Sequence, residues 1–143
     1  SNQVPYSMVK RDIEKDLVPF CLENEVSIIA YSPMQRGILA GKISPDQEFK
    51  EGDSRPDTPY YKKENIIKIN SFLEEIKPLA RSKKCDLAQI VLRWTLEQPG
   101  IICVLAGARN PQQAEKNALT LDINLSREEI DSITKKIDNL DLN

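Results

Sequence analysis

The sequence predicts an α/β fold organised around a parallel sheet, and two observations predict it. Residues 26–31 (VSIIAY) and 101–106 (IICVLA) are short, nearly continuous apolar runs rich in β-branched side chains, the pattern of strands buried on both faces. Stretches with helical spacing precede, separate and follow them. Strands of this kind alternating with helices pair in parallel through right-handed crossovers. No segment repeats at a fixed period, and no low-complexity tract interrupts the pattern.

The first element is a short strand at residues 4–7. Asp16 then caps a helix with Leu17, Phe20 and Cys21 as apolar positions and Pro19 in the first turn, where its missing N–H does no harm. After the strand at 26–31, residues 32–63 show no periodicity. They hold Pro33, Pro45, Pro56, Pro59, Gly37, Gly41 and Gly52, and so read as a long irregular connection of the functional or mobile kind. Helical pattern resumes at Glu64, with Ile69, Phe72, Leu73, Ile76 and Ala80 on one face. Pro78 is expected to bend or interrupt that helix. Asp86 and Gln89 form a capping-box pattern opening the next one, whose buried side is Leu87, Ile90, Val91 and Trp94. Gln98-Pro99-Gly100 stops it. Beyond the strand at 101–106 and Gly107, Asn110-Pro111-Gln112-Gln113 combines a cap, a proline at the first helical position and a glutamine at the third. The last helix starts at Ser126 with Glu129 three residues on, and carries Ile130, Ile133, Ile137 and Leu140 on one face.

At 143 residues the chain can bury one sizeable core. Its net charge of −2, with basic residues scattered among acidic ones, argues against nucleic acid as a partner, because a phosphate backbone demands concentrated Lys and Arg. No apolar run approaches the roughly 18 residues of a membrane span, and no secretory signal pattern opens the chain. Cys21, Cys85 and Cys103 are odd in number and far apart, which fits reduced thiols and a cytoplasmic location better than disulfides or a metal site. The absence of histidine excludes a hydrolase triad and any His-based metal site within this chain. Ser1 and Asn2 are read as a cloning remnant, and residues 3–143 as the domain.

Three segments look like sites, each with a plain reading beside the functional one. Val104-Leu105-Ala106 runs into Gly107-Ala108-Arg109-Asn110-Pro111: a forked cation directly before a helix N-terminus suits a phosphate, or is an ordinary capped helix with an exposed Arg. Tyr31-Ser32-Pro33-Met34-Gln35-Arg36-Gly37 also follows a strand. Its aromatic could stack on a planar ring and its backbone, with Arg36 and Lys42, could reach a diphosphate; otherwise it is a core-edge Tyr and a proline turn. Gln3-Val4-Pro5-Tyr6-Ser7 places a side-chain amide at a strand start, or is a plain strand. Trp94 reads as core, and Glu48, Glu51 and Asp53 as solvated loop rather than metal ligands.

Taken together these segments resemble the aldo-keto reductase superfamily. The resemblance is carried by Gln3-Val4-Pro5-Tyr6-Ser7-Met8 with Arg11-Asp12, and by Ile29-Ala30-Tyr31-Ser32-Pro33-Met34 with Arg36-Gly37, Leu39 and Gly41-Lys42. Ala88-Gln89 with Leu92-Arg93-Trp94 follow, then Gly107-Ala108-Arg109-Asn110-Pro111 with Gln113 and Asn117. It spans about residues 3 to 140 in the right order.

The resemblance implies a TIM (β/α)8 barrel, of which this chain supplies the last three β/α units, and NADP(H)-dependent reduction of aldehydes and ketones without metal. By the same resemblance Gln3 contacts the nicotinamide carboxamide, Tyr31 stacks on the nicotinamide ring, and Ser32, Met34, Arg36 and Lys42 meet the pyrophosphate. Gly107, Ala108, Arg109 and Gln113 form the 2′-phosphate pocket, with Lys116 and Asn117 at the adenine edge. The family's catalytic Asp, Tyr, Lys and His come from the other half of the barrel, so no catalytic residue is carried over, and the chain alone is expected to reduce nothing. Two departures stand out. Gln35 replaces a common glycine, so no positive φ is expected there. Lys116 replaces a common Glu, adding a cation but losing an acceptor. A non-catalytic NADP(H)-binding regulatory module is the other function considered, and an inert domain the third. Three strands cannot close a barrel, so open edges and an open apolar face imply self-association.

Overall fold

The computed structural model describes residues 1–142. Three strands, β1 (Asn2–Pro5), β2 (Ile28–Tyr31) and β3 (Ile101–Leu105), form one parallel sheet in the order β1-β2-β3. Helix α1 (Leu17–Glu23) joins β1 to β2, and α2 (Lys63–Ser82) and α3 (Leu87–Leu96) lie between β2 and β3. Helices α4 (Pro111–Ala118) and α5 (Arg127–Asp138) follow β3. The alternation expected from the apolar runs is therefore present.

β1 lies two residues earlier than the pattern at 4–7 suggests. Asn2, set aside as a remnant in the sequence reading, donates its N–H to the Ser27 carbonyl (2.8 Å) and opens the strand. The apolar signal at Tyr6 and Met8 comes from burial in the turn beyond it, where Ser7 bridges to Lys10.

Alternation along the strands gives the sheet two unlike faces. Ile28, Ala30 and Ile101 are buried against the helices. Gln3, Ile29 and Cys103 are in register on the other face, followed by Pro5, Tyr31 and Leu105. On that side Gln3, Tyr31 and Leu105 are exposed, so the runs expected to be covered on both faces are covered on one. A register shift between Ile28 and Ile29 leaves Ile102 unpaired and 65% exposed.

Helix α2 continues through Pro78 and is not interrupted. Pro78 cannot donate to the carbonyl of Glu74, but both residues sit on the exposed side, where water takes the acceptor, while Ile69, Phe72, Leu73, Ile76 and Ala80 hold the other side in the core. Restoring the missing bond with Pro78→Ala should therefore stabilise the chain by about 1–3 kcal/mol. Urea unfolding monitored by circular dichroism should show a higher midpoint at an unchanged slope.

Helix α3 begins at the expected capping box, with the Asp86 N–H donating to Gln89 Oε1 (2.9 Å). It buries Ile90, Val91 and Trp94. The Trp94 indole, fully buried, stacks on Tyr6 with ring centroids 6.2 Å apart and donates Nε1–H to Thr134 Oγ1 on α5 (3.0 Å). Helix α5 starts at the Ser126–Glu129 capping box and packs Ile130, Ile133 and Ile137 inward.

Candidate functional site

β2 and β3 are neighbours with Tyr31 opposite Leu105, so the segments that follow leave the same end of the sheet side by side. Both of the strongest sequence segments are therefore brought together at one sheet edge. Gln3 sits lower on the same open face, in register with Ile29 and Cys103.

After Tyr31 the chain makes a strained elbow. Ser32, Gln35 and Arg36 have φ of 55°, 43° and 57°, and Gly37 of 103°. The expectation that Gln35 needs no positive φ is corrected: it lies in the left-handed region, where a non-glycine residue costs about 1–3 kcal/mol. Neighbours over-determine it. The buried Gln35 side chain accepts from Ser7 Oγ (3.2 Å), and the Tyr61 hydroxyl donates to the carbonyls of Gln35 (3.2 Å) and Arg36 (2.8 Å). Met34 is half-buried beneath the elbow and Arg36 is exposed, its Nη2 donating to Ser54 Oγ (2.8 Å). The two short turns across Gln35–Ala40, broken by the kink at Arg36 and Gly37, end at Gly41, whose left-handed φ of 68° and close approach to Leu87 and Leu73 suit a glycine. Lys42 follows, exposed.

The connection at 32–63 is thus less irregular than its composition suggests. Ile38, Leu39 and Tyr61 are buried, and Pro59–Tyr61 forms a second 3₁₀ turn leading into α2. Asp53, read as solvated loop, instead binds Arg55, whose Nε and Nη2 both donate to it and hold its carboxyl down at about 2. The Arg55 guanidinium lies over the rings of Phe49 (5.0 Å) and Tyr61 (5.8 Å), and those rings meet edge to face at 5.6 Å.

After β3, Gly107 has an ordinary φ, and a Cβ built there would meet nothing within 4 Å, so open space rather than backbone strain characterises this position. Ala108 and Arg109 are exposed. Asn110 caps α4, its Oδ1 accepting from Gln113 N–H (2.9 Å), while Gln113 Oε1 accepts from Arg109 N–H (2.8 Å). The Arg109 backbone is thereby fixed, and among the described residues no acidic group pairs with its guanidinium. Lys116, expected as a further cation at the site, pairs with Asp86 at the start of α3 (2.6 Å), because the two are juxtaposed where α4 crosses α3. Asn117 donates to the carbonyl of Gly107 (3.3 Å), strapping the loop to the helix.

Sequence reasoning missed Tyr61 and Ser54, which hold the elbow from 25 and 18 residues away. No local pattern marks either, since the signal is a fold-dependent contact. A further polar network lies behind the sheet. The Tyr6 hydroxyl donates to Glu14 Oε1 (2.5 Å), Glu14 takes both Nε and Nη2 of Arg11, and Arg11 reaches Asp138 (2.6 Å). Burial, then the Glu14 hydrogen bond, pushes the Tyr6 phenol far above its ordinary ionisation range, so it stays neutral as a packing residue. Among the described residues no group of three or more Cys, Asp or Glu is placed to hold a metal ion, and no helix is long and apolar enough to cross a membrane.

The family model described as the Aldo/keto reductase family matches residues 1–138. An NADH-specific methylglyoxal reductase of Escherichia coli is 35% identical over 124 residues, covering 87% of this chain and 37% of the relative. The structure of a glycerol dehydrogenase from Gluconobacter oxydans superposes with a TM-score of 0.86 at 30% identity, over 94% of this chain and 41% of that one. An aldo-keto reductase from Klebsiella pneumoniae solved with NADPH superposes with a TM-score of 0.63 at 25% identity, over 94% and 38%. The chain thus spans about two-fifths of the length of the relatives it matches.

Proposed function

The chain belongs to the aldo/keto reductase family, and on that premise we propose that it forms the last three β/α units of a TIM barrel and supplies the NADP(H)-binding end of a carbonyl reductase. The observation that carries this reading is the side-by-side exit of the Tyr31–Gly37 and Gly107–Asn117 segments from one sheet edge, each with an arginine that forms no salt bridge among the described residues. Ligands in parallel α/β folds gather at that edge.

The residues present fit a dinucleotide. Tyr31 offers a ring that is 38% exposed at a strand end, open space lies over Gly107, and the N-terminus of α4, with the Gln112 N–H left open by the cap, lies beside Arg109. When bound, the nicotinamide would supply the hydride for a carbonyl carbon. Gln3 would hold its carboxamide and Tyr31 its ring. Ser32, Met34, Arg36 and Lys42 would embrace the pyrophosphate, and Gly107, Ala108, Arg109 and Gln113 the 2′-phosphate. Asn117 would keep the Gly107 carbonyl in place, while Lys116, paired with Asp86, contributes least. Arg109 favours NADP(H) over NAD(H), although one relative is named for NADH. On the same reading the proton donor would come from another part of the barrel. Substrates would be aldehydes or ketones, and the open sheet face is the surface through which the chain on its own would associate.

Titration of the labelled chain with NADP+ should shift the amide resonances of residues 31–37 and 107–117. The same sample with NADPH and a model aldehyde should show no turnover. Shifts confined to other regions, or none, would remove the cofactor reading; measurable reduction by the chain would overturn the claim that its chemistry lies elsewhere.

A further inference from the structure

The elbow at Gln35–Gly37 raises a question of balance. Three consecutive residues with positive φ, two of them not glycine, will relax unless something opposes it. Successive left-handed residues also turn two carbonyls to one side, where buried acceptors need donors. One group answers both needs. Tyr61 is 5% exposed, packed between Arg55 above its face and Phe49 at its edge, and its hydroxyl is shared by the Gln35 and Arg36 carbonyls. A phenylalanine would fill the same space and keep the same ring contacts. What the hydroxyl adds is the grip on the elbow, through the two carbonyls and the Ile38 backbone, together with a bond to the Arg55 side chain.

We propose that Tyr61 is a positioning residue: its hydroxyl, by bridging the Gln35 and Arg36 carbonyls, holds the left-handed elbow that presents Arg36 to the diphosphate of the cofactor. The inference rests on the cofactor reading above. The segment that carries Tyr61 supports it further. Arg36 is tied on its other side to Ser54, and Ser54 lies between Asp53 and Arg55, whose ion pair stacks on the Tyr61 ring. Backbone and guanidinium of Arg36 are therefore both held by one folded stretch of the long connection, so that ordering this stretch and aiming the arginine are a single event.

The test is Tyr61→Phe in the labelled chain, with hydrogen exchange and NADP+ titration followed on the same resonances. Loss of a bond to two carbonyls should speed exchange of the amides at 35–41 by about tenfold, leaving the α2 and α3 core amides unchanged. The NADP+ dissociation constant should rise by a similar factor, and the Arg36 Nε–H resonance should lose its NADP+-dependent shift. Unchanged exchange at 35–41 would overturn the proposal. So would faster exchange with unaltered NADP+ affinity, which would make the hydroxyl a stabilising group only. Loss of core protection throughout the variant would overturn it too, by making Tyr61 a determinant of the fold. Failure of the cofactor reading itself is distinguishable, because it appears as silence of residues 31–37 and 107–117 in the unsubstituted chain.

Discussion

Trp94→Ala should unfold the chain or bring it to the edge of unfolding. The side chain is completely buried between the sheet and α5, stacked on Tyr6, under the Arg11 guanidinium (5.8 Å from the ring centroid), with its N–H on Thr134. Truncating an aromatic in such a place costs about 3–5 kcal/mol in lost transfer energy and cavity. Native domains hold only about 5–15 kcal/mol in total, and a three-stranded unit with one open sheet face belongs to the low end. Thr134 would keep its bond to the Ile130 carbonyl (2.9 Å), so the loss is one of packing more than of hydrogen bonding. Thermal denaturation followed by far-ultraviolet circular dichroism decides the matter. A variant melting within a few degrees of the parent would show that the sheet and helices do not depend on this residue as their keystone.

Arg109→Ala should weaken NADP+ binding by about 10- to 100-fold and leave NAD+ binding nearly untouched, since a hydrogen bond to a charged group is worth about 1.5–3 kcal/mol. The selectivity follows from how the loop is built. The Arg109 N–H is held by Gln113 Oε1 and the cap by Asn110, so removing the side chain leaves the backbone path in place. What is lost is the guanidinium, and only the cofactor with a 2′-phosphate would notice. Calorimetric titration with both dinucleotides gives the ratio directly. Equal losses for the two would mean that the arginine serves the loop and not the phosphate.

How far the fold could be read from the residues depended on the range of the interaction. Continuous apolar runs at 26–31 and 101–106 located β2 and β3 because strand burial is written in neighbouring positions. The capping boxes at Asp86 and Ser126 located helix starts, since a cap and its partner are three residues apart. Pro78, expected to bend or interrupt α2, does not interrupt it, because a proline's effect depends on which side of the helix meets water, and that is decided by packing. The elbow at Gln35 misled for the same kind of reason. Its strain is sustained by Ser7 and Tyr61, both more than 20 residues away in the chain, and no propensity of Gln reports on them. The positions of the candidate site residues were legible through resemblance at strand ends, while the hydrogen bonds that shape the site were not.

Helix α4 buries none of its eight residues, and only Asn117 is half-covered. It is held by its cap, by Gln89 Nε2 on the Lys116 carbonyl (2.9 Å), and by the Lys116–Asp86 pair. A helix of that length is marginal in water without a packed face. Opening and closing of this turn is thus a low-energy event, and the closed form is the one that sets the Gln112 N–H beside Arg109. Any anion captured there would be doing part of the winding, and its apparent affinity would be diminished by the fraction of time the turn is unwound. Cooling, or a residue favouring helix on the bare surface of α4, should then tighten the grip without adding one contact to the ligand.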